Sequence, residues 1–397
     1  MKKKIFFMLI NMNVGGTEKA LLNMISEIPK EKYDITLFML EEYGDFLKYI
    51  PNYVTVKYLV GYNQIKAIIN QPLHKAAVNA FRIGNFINAF ILIFLYLTSK
   101  VFDDRRIVFN YVLKNYKKIE TEYDIAVAYA GPMDFISYFV INKIKAKKKI
   151  QWIHFDVTKV GFNKRMVNKI YKKFDKIFIV SEEAKSKLIN LVPSISGITE
   201  VFYNIVSPSH IKSSTKEGKG FEDDFNGLRI LTIGRLSKEK GQDLAVRVLA
   251  KLNREGYNVK WYCVGEGNSR KECEKLIFEK NLGEKFILLG SDTNPYPYLE
   301  QCDIYVQPSR YEGYCITVIE AKQLLKPIIT TNVNGANEQI KNGKTGLIVN
   351  IDENEIYLAL KKLIDNEFFR TKFSNNLFYE TYDSTIEMKK LFNILEG

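Results

Sequence analysis

The sequence predicts an α/β protein made of two doubly wound Rossmann-like domains facing across a cleft. Three observations carry that expectation. Short, continuous runs of β-branched and aromatic residues alternate with helical patterns through both halves of the chain, which is the signature of parallel sheets covered on both faces. The 397 residues suffice for two or three domains of ordinary size. A polar stretch rich in Ser, Gly, Lys and Asp separates the two series of strands. With 46% hydrophobic residues, the composition excludes a disordered chain.

In the first half the strands are expected at Lys4–Leu9, Ile35–Leu40, Asp124–Ala128, Ile150–Ile153, Lys176–Val180 and Glu200–Phe202. In the second half they are expected at Leu228–Ile233, Lys260–Val264, Phe286–Leu289, Ile304–Val306, Pro327–Thr331 and Gly346–Val349. The division that follows is an N-terminal domain at 1–206, a linker at 207–227, a second domain at 228–380 and a C-terminal helix at 381–397. Ligands of such sheets sit beyond the carboxyl ends of the strands, so function is sought where a strand runs into Gly or charged residues ahead of a helix.

Charge is unevenly placed. The chain carries 58 basic and 45 acidic side chains, and residues 1–210 hold 31 of the former and 18 of the latter. The whole excess of +13 therefore lies in the first half. No Asp or Glu occurs between Asp45 and Asp103, while Lys48, Lys57, Lys66, Lys75, Arg82 and Lys100 do. Such a surface attracts polyanions or anionic lipid, or else serves solubility. The apolar run Phe86–Leu97, broken by Asn88, is shorter than the roughly 20 residues needed to span a bilayer. Helix 76–98 reads equally as a core helix or as one lying on a membrane face. Lys2–Lys4 followed by Ile5–Ile10 imitates a signal peptide, but it reads better as a first buried strand. Four cysteines without CxxC spacing and three scattered histidines make a disulfide scaffold or a His-based metal site improbable, and buried thiols are expected.

The strand ends carry the chemistry. The first strand leads into Asn13, Val14, Gly15, Gly16, Thr17 and Glu18, where two glycines admit close approach of an anion to a helix start. Ile150–Ile153 ends in His154 and Asp156; a histidine there either donates to a ligand hydroxyl, shuttles a proton or is structural. Leu228–Ile233 ends in Gly234, Arg235, Leu236, Ser237, Lys238, Glu239, Lys240 and Gly241, and its two cations Arg235 and Lys240 suit a diphosphate that gains charge as it leaves. The sharpest signal is the run from Pro308 to Ala321. There Glu312 and Glu320 flank a glycine turn whose amides at Gly313, Tyr314, Cys315 and Ile316 form an anion nest at a helix start.

Together these residues resemble the retaining glycosyltransferases of family 4, which have the GT-B architecture. The resemblance rests on Gly15–Gly16, the His154 strand end, the 234–241 loop, the Glu312/Glu320 pair, Asn337–Glu338 after Asn334–Gly335, and Asn342–Gly343 with Gly346. It implies that Arg235 and Lys240 hold the donor diphosphate, Glu320 the ribose and Glu312 the transferred sugar, with His154 near the reaction centre. Gly15, Gly16, Gly234, Gly313, Tyr314, Cys315 and Ile316 would line the donor. Leu289, Gly290 and Asp292 lie where that family often holds the base, though here the motif is loose. The C-terminal helix, about Ile386–Leu395, would cross back to the first domain.

The expected activity is transfer of a sugar from a nucleotide-sugar, UDP foremost, to a lipid-linked or saccharide acceptor in cell-surface polysaccharide synthesis. No Asp-x-Asp triplet is found, so neither metal nor other cofactor is expected. The expected partners are the donor, a polyprenyl-linked or saccharide acceptor and an anionic membrane surface, with no nucleic acid. The expected location is cytoplasmic, peripheral to the inner face of the cell membrane. The alternative is a catalytically inactive sugar- or nucleotide-binding partner of a glycosyltransferase complex. Retention of Arg235, Lys240, Glu312 and Glu320 favours the enzyme.

Overall fold

Seven strands of the first half form one parallel sheet: β1 (Lys3–Leu9), β2 (Tyr33–Met39), β3 (Thr55–Tyr58), β4 (Ile119–Gly131), β5 (Ile144–Ile153), β6 (Lys176–Ile179) and β7 (Thr199–Val201). Their order is β3-β2-β1-β4-β5-β6-β7. The computed structural model describes residues 2–131, 134–160, 163–380 and 383–396. Six further strands form a second parallel sheet: β8 (Leu228–Ile233), β9 (Val259–Val264), β10 (Phe286–Gly290), β11 (Ile304–Gln307), β12 (Ile328–Thr331) and β13 (Leu347–Val349), in the order β10-β9-β8-β11-β12-β13. The α/β class with two doubly wound parallel sheets is thus the fold of the chain. Each order reverses direction once, between β1 and β4 and between β8 and β11, and crevices at such reversals are where open sheets take ligands.

The second sheet shows why its strands read as continuous apolar runs. Ile230, Trp261, Cys263, Ile304 and Val306 pack on one face, while Leu231, Ile233, Tyr262, Val264 and Tyr305 pack on the other. Both faces are covered by helices, so alternation with polar residues is lost. Trp261 is fully buried and donates from Nε1 to Thr232 Oγ1 at 3.0 Å. Truncating it to alanine would cost about 3–5 kcal/mol.

The chain divides into two compact units, and the division is not a simple cut in the sequence. The first contains Met1–Met12, Ile28–Phe202 and Lys389–Gly397; the second contains Asn13–Glu27 and Tyr203–Met388. Helix Gly16–Ser26 belongs with the second because its Ala20 packs in the same cluster as Tyr296, Ile316 and Ile319. Phe392 of helix Met388–Glu396 belongs with the first because its ring stacks on Tyr33, with centroids 6.0 Å apart.

Three expectations from the sequence need revision. The stretch 207–227, expected as a linker, contains helix Pro208–Ser214, started by proline and capped by the Ser207 hydroxyl. Its Asp223 is held by Arg229, Lys260 and Tyr262, which keep that carboxyl far below its usual range despite the opposing effect of burial. Strand β3 was not expected, and β5 begins six residues before Ile150 through Lys145, Lys147, Lys148 and Lys149.

Residues 76–98 are neither wholly core nor wholly surface. They fold as two helices, Leu73–Arg82 and Phe86–Val101, turned at Gly84. The second buries Ala89, Leu92 and Leu95 and leaves Phe86, Ile87, Phe90, Phe94 and Leu97 exposed. Among the described residues no helix is long and apolar enough to cross a membrane. All four cysteines are buried and free.

Candidate functional site

The loops after β8 and β11, the two strands at the reversal of the second sheet, bring the expected cations and carboxylates together. The loop after β8 turns through Gly241, at φ 72°, where any side chain would collide with the Pro308 carbonyl. That close approach sets Lys240 against Glu312. The Lys240 ammonium donates to both carboxylate oxygens, at 2.7 and 2.8 Å. Burial alone would push the ammonium down, but the Glu312 carboxylate outweighs it and holds Lys240 above its ordinary range.

Glu312 is itself fixed by Ser309, whose hydroxyl donates to Oε1 at 2.6 Å, and by the Gln307 amide at 3.4 Å. Arg310 clamps the two loops. Its guanidinium forks onto Asp243 at 2.7 and 2.8 Å and donates to the Lys238 carbonyl, while its amide donates to the Glu239 carbonyl at 2.7 Å. A bidentate fork of this kind fixes geometry as well as charge.

Helix Ile316–Gln323 begins at Cys315 without a side-chain cap. Its first-turn amides, following the Gly313–Tyr314 turn, supply the positive end of a helix dipole. The Cys315 carbonyl accepts from Gln339 and the Tyr314 carbonyl from Asn204, which hold the turn in place. Burial pushes the Cys315 thiol up to about 12, so it remains a neutral thiol.

Glu320 lies one turn inside that helix with 0% of its surface exposed. Oε1 takes a hydrogen bond from the Tyr296 hydroxyl at 3.0 Å and an ion pair from Lys19 at 2.8 Å. Its other oxygen, Oε2, is buried with no hydrogen-bond partner. Lys19 also lies over the Tyr296 ring, 4.3 Å from its centroid.

Gly15 and Gly16 open the helix that carries Lys19. The Arg235 guanidinium lies beside Gly15, and Ile316 lies beside Gly16. Glu18, in the first turn, has its carboxyl pushed up to about 7 by burial, against the opposing pull of its own amide and of Arg235. Gly234 follows β8, and its carbonyl and that of Arg235 accept from Gln242. Arg235 is exposed.

Gly290 closes β10 at φ 82°, and its carbonyl accepts from Gly265 at 2.7 Å. Beyond it, Asp292 accepts from the Asn294 amide; Leu289, just before Gly290, is exposed.

His154 belongs to the first unit, at the end of β5. Its ring lies 4.5 Å from that of Tyr129 and stacks on Trp152. Neither ring nitrogen makes a hydrogen bond of normal geometry. Burial depresses its basicity to about 3, with a smaller opposing effect from the Tyr129 main chain. A ring so placed is neutral at pH 7. Of the roles expected for it, proton shuttling is therefore disfavoured, and donation from a neutral N–H is retained.

Sequence reasoning brought Arg235, Lys240, Glu312 and Glu320 to one place but missed Lys19, Tyr296, Ser309 and Arg310. Lys19 had one available signal, a cation directly after the Gly15–Gly16 helix start. Tyr296 had none, because nothing in its local sequence marks it as facing Glu320. Among the described residues no three His, Cys, Asp or Glu side chains come together in a way that could hold a metal ion.

Residues 218–378 match the family described as Glycosyl transferases group 1. Over 218 residues the chain is 31% identical to the N-acetylgalactosamine-N,N'-diacetylbacillosaminyl-diphospho-undecaprenol 4-alpha-N-acetylgalactosaminyltransferase of Campylobacter jejuni, a match that covers 54% of this chain and 57% of that one. Over 211 residues it is 29% identical to the capsular polysaccharide biosynthesis glycosyltransferase CapM of Staphylococcus aureus, covering 50% and 55%. The chain thus spans little more than half the length of these curated relatives. In fold it matches Anabaena HepE, solved in complex with UDP and glucose, at a TM-score of 0.72 and 16% identity over 100% of both chains. It also matches TarM of Staphylococcus aureus at 0.69 and 15%, over 100% and 99%.

Proposed function

We propose that this chain is a retaining, metal-independent glycosyltransferase of family 4 type. It moves a sugar from a nucleotide-sugar, UDP-linked foremost, to a lipid-linked or saccharide acceptor in cell-surface polysaccharide synthesis. The observation that carries this reading is the convergence of Arg235, the Lys240–Glu312 pair and the Gly313–Ile316 turn where β8 and β11 part. The relatives, named for transfer to diphospho-undecaprenol glycans and for capsule synthesis, support it.

In the reaction the bond from the sugar's anomeric carbon to the diphosphate breaks, and the nucleotide diphosphate leaves with the electron pair. The acceptor hydroxyl forms the new bond and gives up its proton to the departing phosphate. Arg235 and Lys240 offset the charge that grows on the leaving group, and the helix amides add to that field. Glu312 accepts hydrogen bonds from the transferred sugar while Lys240 bridges it to the diphosphate. Glu320 takes the ribose, and the Lys19 pairing shares its charge. His154 donates to the sugar as a neutral ring. Gly15 and Gly16 approach the phosphates, and Leu289, Gly290 and Asp292 border the base.

The enzyme works in the cytoplasm, held at the inner face of the membrane by the basic first half of its sequence. A donor screen tests the activity: purified protein is offered UDP- and GDP-sugars, and release of free nucleotide is scored. Failure to release nucleotide from any donor, with or without acceptor lipid, overturns the enzyme reading in favour of a binding partner. Arg235→Ala is expected to lower turnover by about 10²–10³, the loss typical of one preorganised donor.

A further inference from the structure

The helix Phe86–Val101 is apolar on both sides. Its inward side is satisfied by burial of Ala89, Leu92 and Leu95. Its outward side carries Phe86, Ile87, Phe90, Phe94, Leu97 and Val101, with Ile87 78% and both Phe90 and Phe94 64% exposed. These positions recur at spacings of three and four, so they form one stripe along the helix. Phe81 of the preceding helix extends the stripe, its ring 5.2 Å from that of Phe86 and 5.8 Å from that of Phe90, and Ile83 at the turn is 79% exposed. A contiguous apolar face of this kind marks an interaction surface.

We propose that this face lies within the interfacial layer of an anionic bilayer, as an apolar wedge and not only as a charged contact. The inference rests on the membrane docking proposed above and assigns the side chains that make it. Charge decides the occupant. The same two helices expose Lys75, Arg82 and Lys100, and the sequence from Phe46 to Phe102 contains no carboxylate. A second copy of the chain across a two-fold axis would set this acid-free basic surface against itself. An anionic lipid surface complements it, and cations of this kind gain about 1 kcal/mol each there. The helix has 16 residues, about 24 Å at 1.5 Å per residue, and it lies along the interface without crossing it.

The test uses the full chain and vesicles of equal parts phosphatidylglycerol and phosphatidylcholine. Protein is bound at low salt, and the salt is then raised to about 1 M, where the Debye length falls to about 3 Å. The wild type is expected to float with the vesicles before and after the rise. The double variant Phe90→Ser/Phe94→Ser is expected to partition about 100-fold less at high salt, from the loss of two aromatic burials. Its melting temperature should be unchanged, since both rings are mostly in solvent. In a Phe90→Trp variant, brominated lipid should quench the new fluorescence.

Complete release of the wild type at high salt overturns the wedge while leaving electrostatic docking in place. Failure to float at low salt overturns both. Wild-type flotation by the double variant also refutes the proposal. So does a wild-type dimer, without vesicle binding, that the double variant converts to monomer. None of these results depends on nucleotide release, which tests the enzyme reading separately.

Discussion

Replacing Lys240 with alanine should make the second unit markedly easier to unfold, for a reason separable from catalysis. The Glu312 side chain is only 9% exposed and loses both ammonium contacts, keeping the Ser309 hydroxyl and the distant Gln307 amide. Breaking a fully buried pair from one side costs about 3–5 kcal/mol. Lys240 is 24% exposed, so water recovers part of that, and about 2–4 kcal/mol is expected. The two tryptophans make the measurement clean, because Trp152 lies in the first unit and Trp261 in the second. In a Trp152→Phe background, urea unfolding followed by Trp261 fluorescence should show the midpoint fall by about 1 M. The double variant Lys240→Met/Glu312→Gln removes the stranded charge and should recover most of the loss, whereas turnover should stay low in both. A single variant within about 0.5 kcal/mol of wild type, or a double variant less stable than the single, would refute the reasoning.

Glu312→Ala should cut the chemical step, whereas Glu320→Gln should chiefly weaken binding of free UDP; equal UDP affinity of Glu320→Gln and wild type by calorimetry contradicts the ribose role. His154 gives a pH signature. Its buried ring stays neutral down to about 3, while in the unfolded chain it takes a proton near 6.5. Stability is therefore complete above pH 6.5 and falls as the pH drops toward 3, by about 2 kcal/mol from this residue at pH 5. A His154→Phe variant should flatten that part of the pH–stability curve, and an unchanged slope removes the residue from the account. Turnover should persist in excess EDTA; activity that stops and returns on adding Mg²⁺ or Mn²⁺ shows that a metal is required.

Strands buried on both faces were legible because apolar residues dominate them: Ile5–Leu9 has no polar member, and in Leu228–Ile233 only Arg229 near the start and the buried Thr232 interrupt the run. The edge strand β3 was not, because Thr-Val-Lys-Tyr has one solvated side and lies next to a single neighbour, β2. The Lys-rich start of β5 was missed for a related reason. Its lysines are drawn out by partners elsewhere, such as Asp124 for Lys147, and charge pairing across strands has no local pattern. In the site, Glu312 and Lys240 were legible because glycine turns mark both loops. The Lys19–Glu320 pair was not, since its members are 301 positions apart and only tertiary packing joins them.

The exchange of segments between the two units has a consequence for how the chain is made. Helix Met388–Glu396 leaves the ribosome after every strand of both sheets, yet its Leu391 and Leu395 are buried and its Phe392 stacks on Tyr33 of β2. The first-translated sheet therefore waits, with an apolar seam open to solvent, until the whole second unit has been synthesised. Helix Gly16–Ser26 has the opposite schedule. It emerges ahead of the rest of its unit, and its Ala20 and Lys19 find Tyr296 and Glu320 only some 300 residues later. Neither unit can finish vectorially, one domain behind another. Ribosome-stalled chains ending near residue 380 should expose the seam around Tyr33 to a hydrophobic dye or a chaperone, and that exposure should vanish once Phe392 has cleared the exit tunnel.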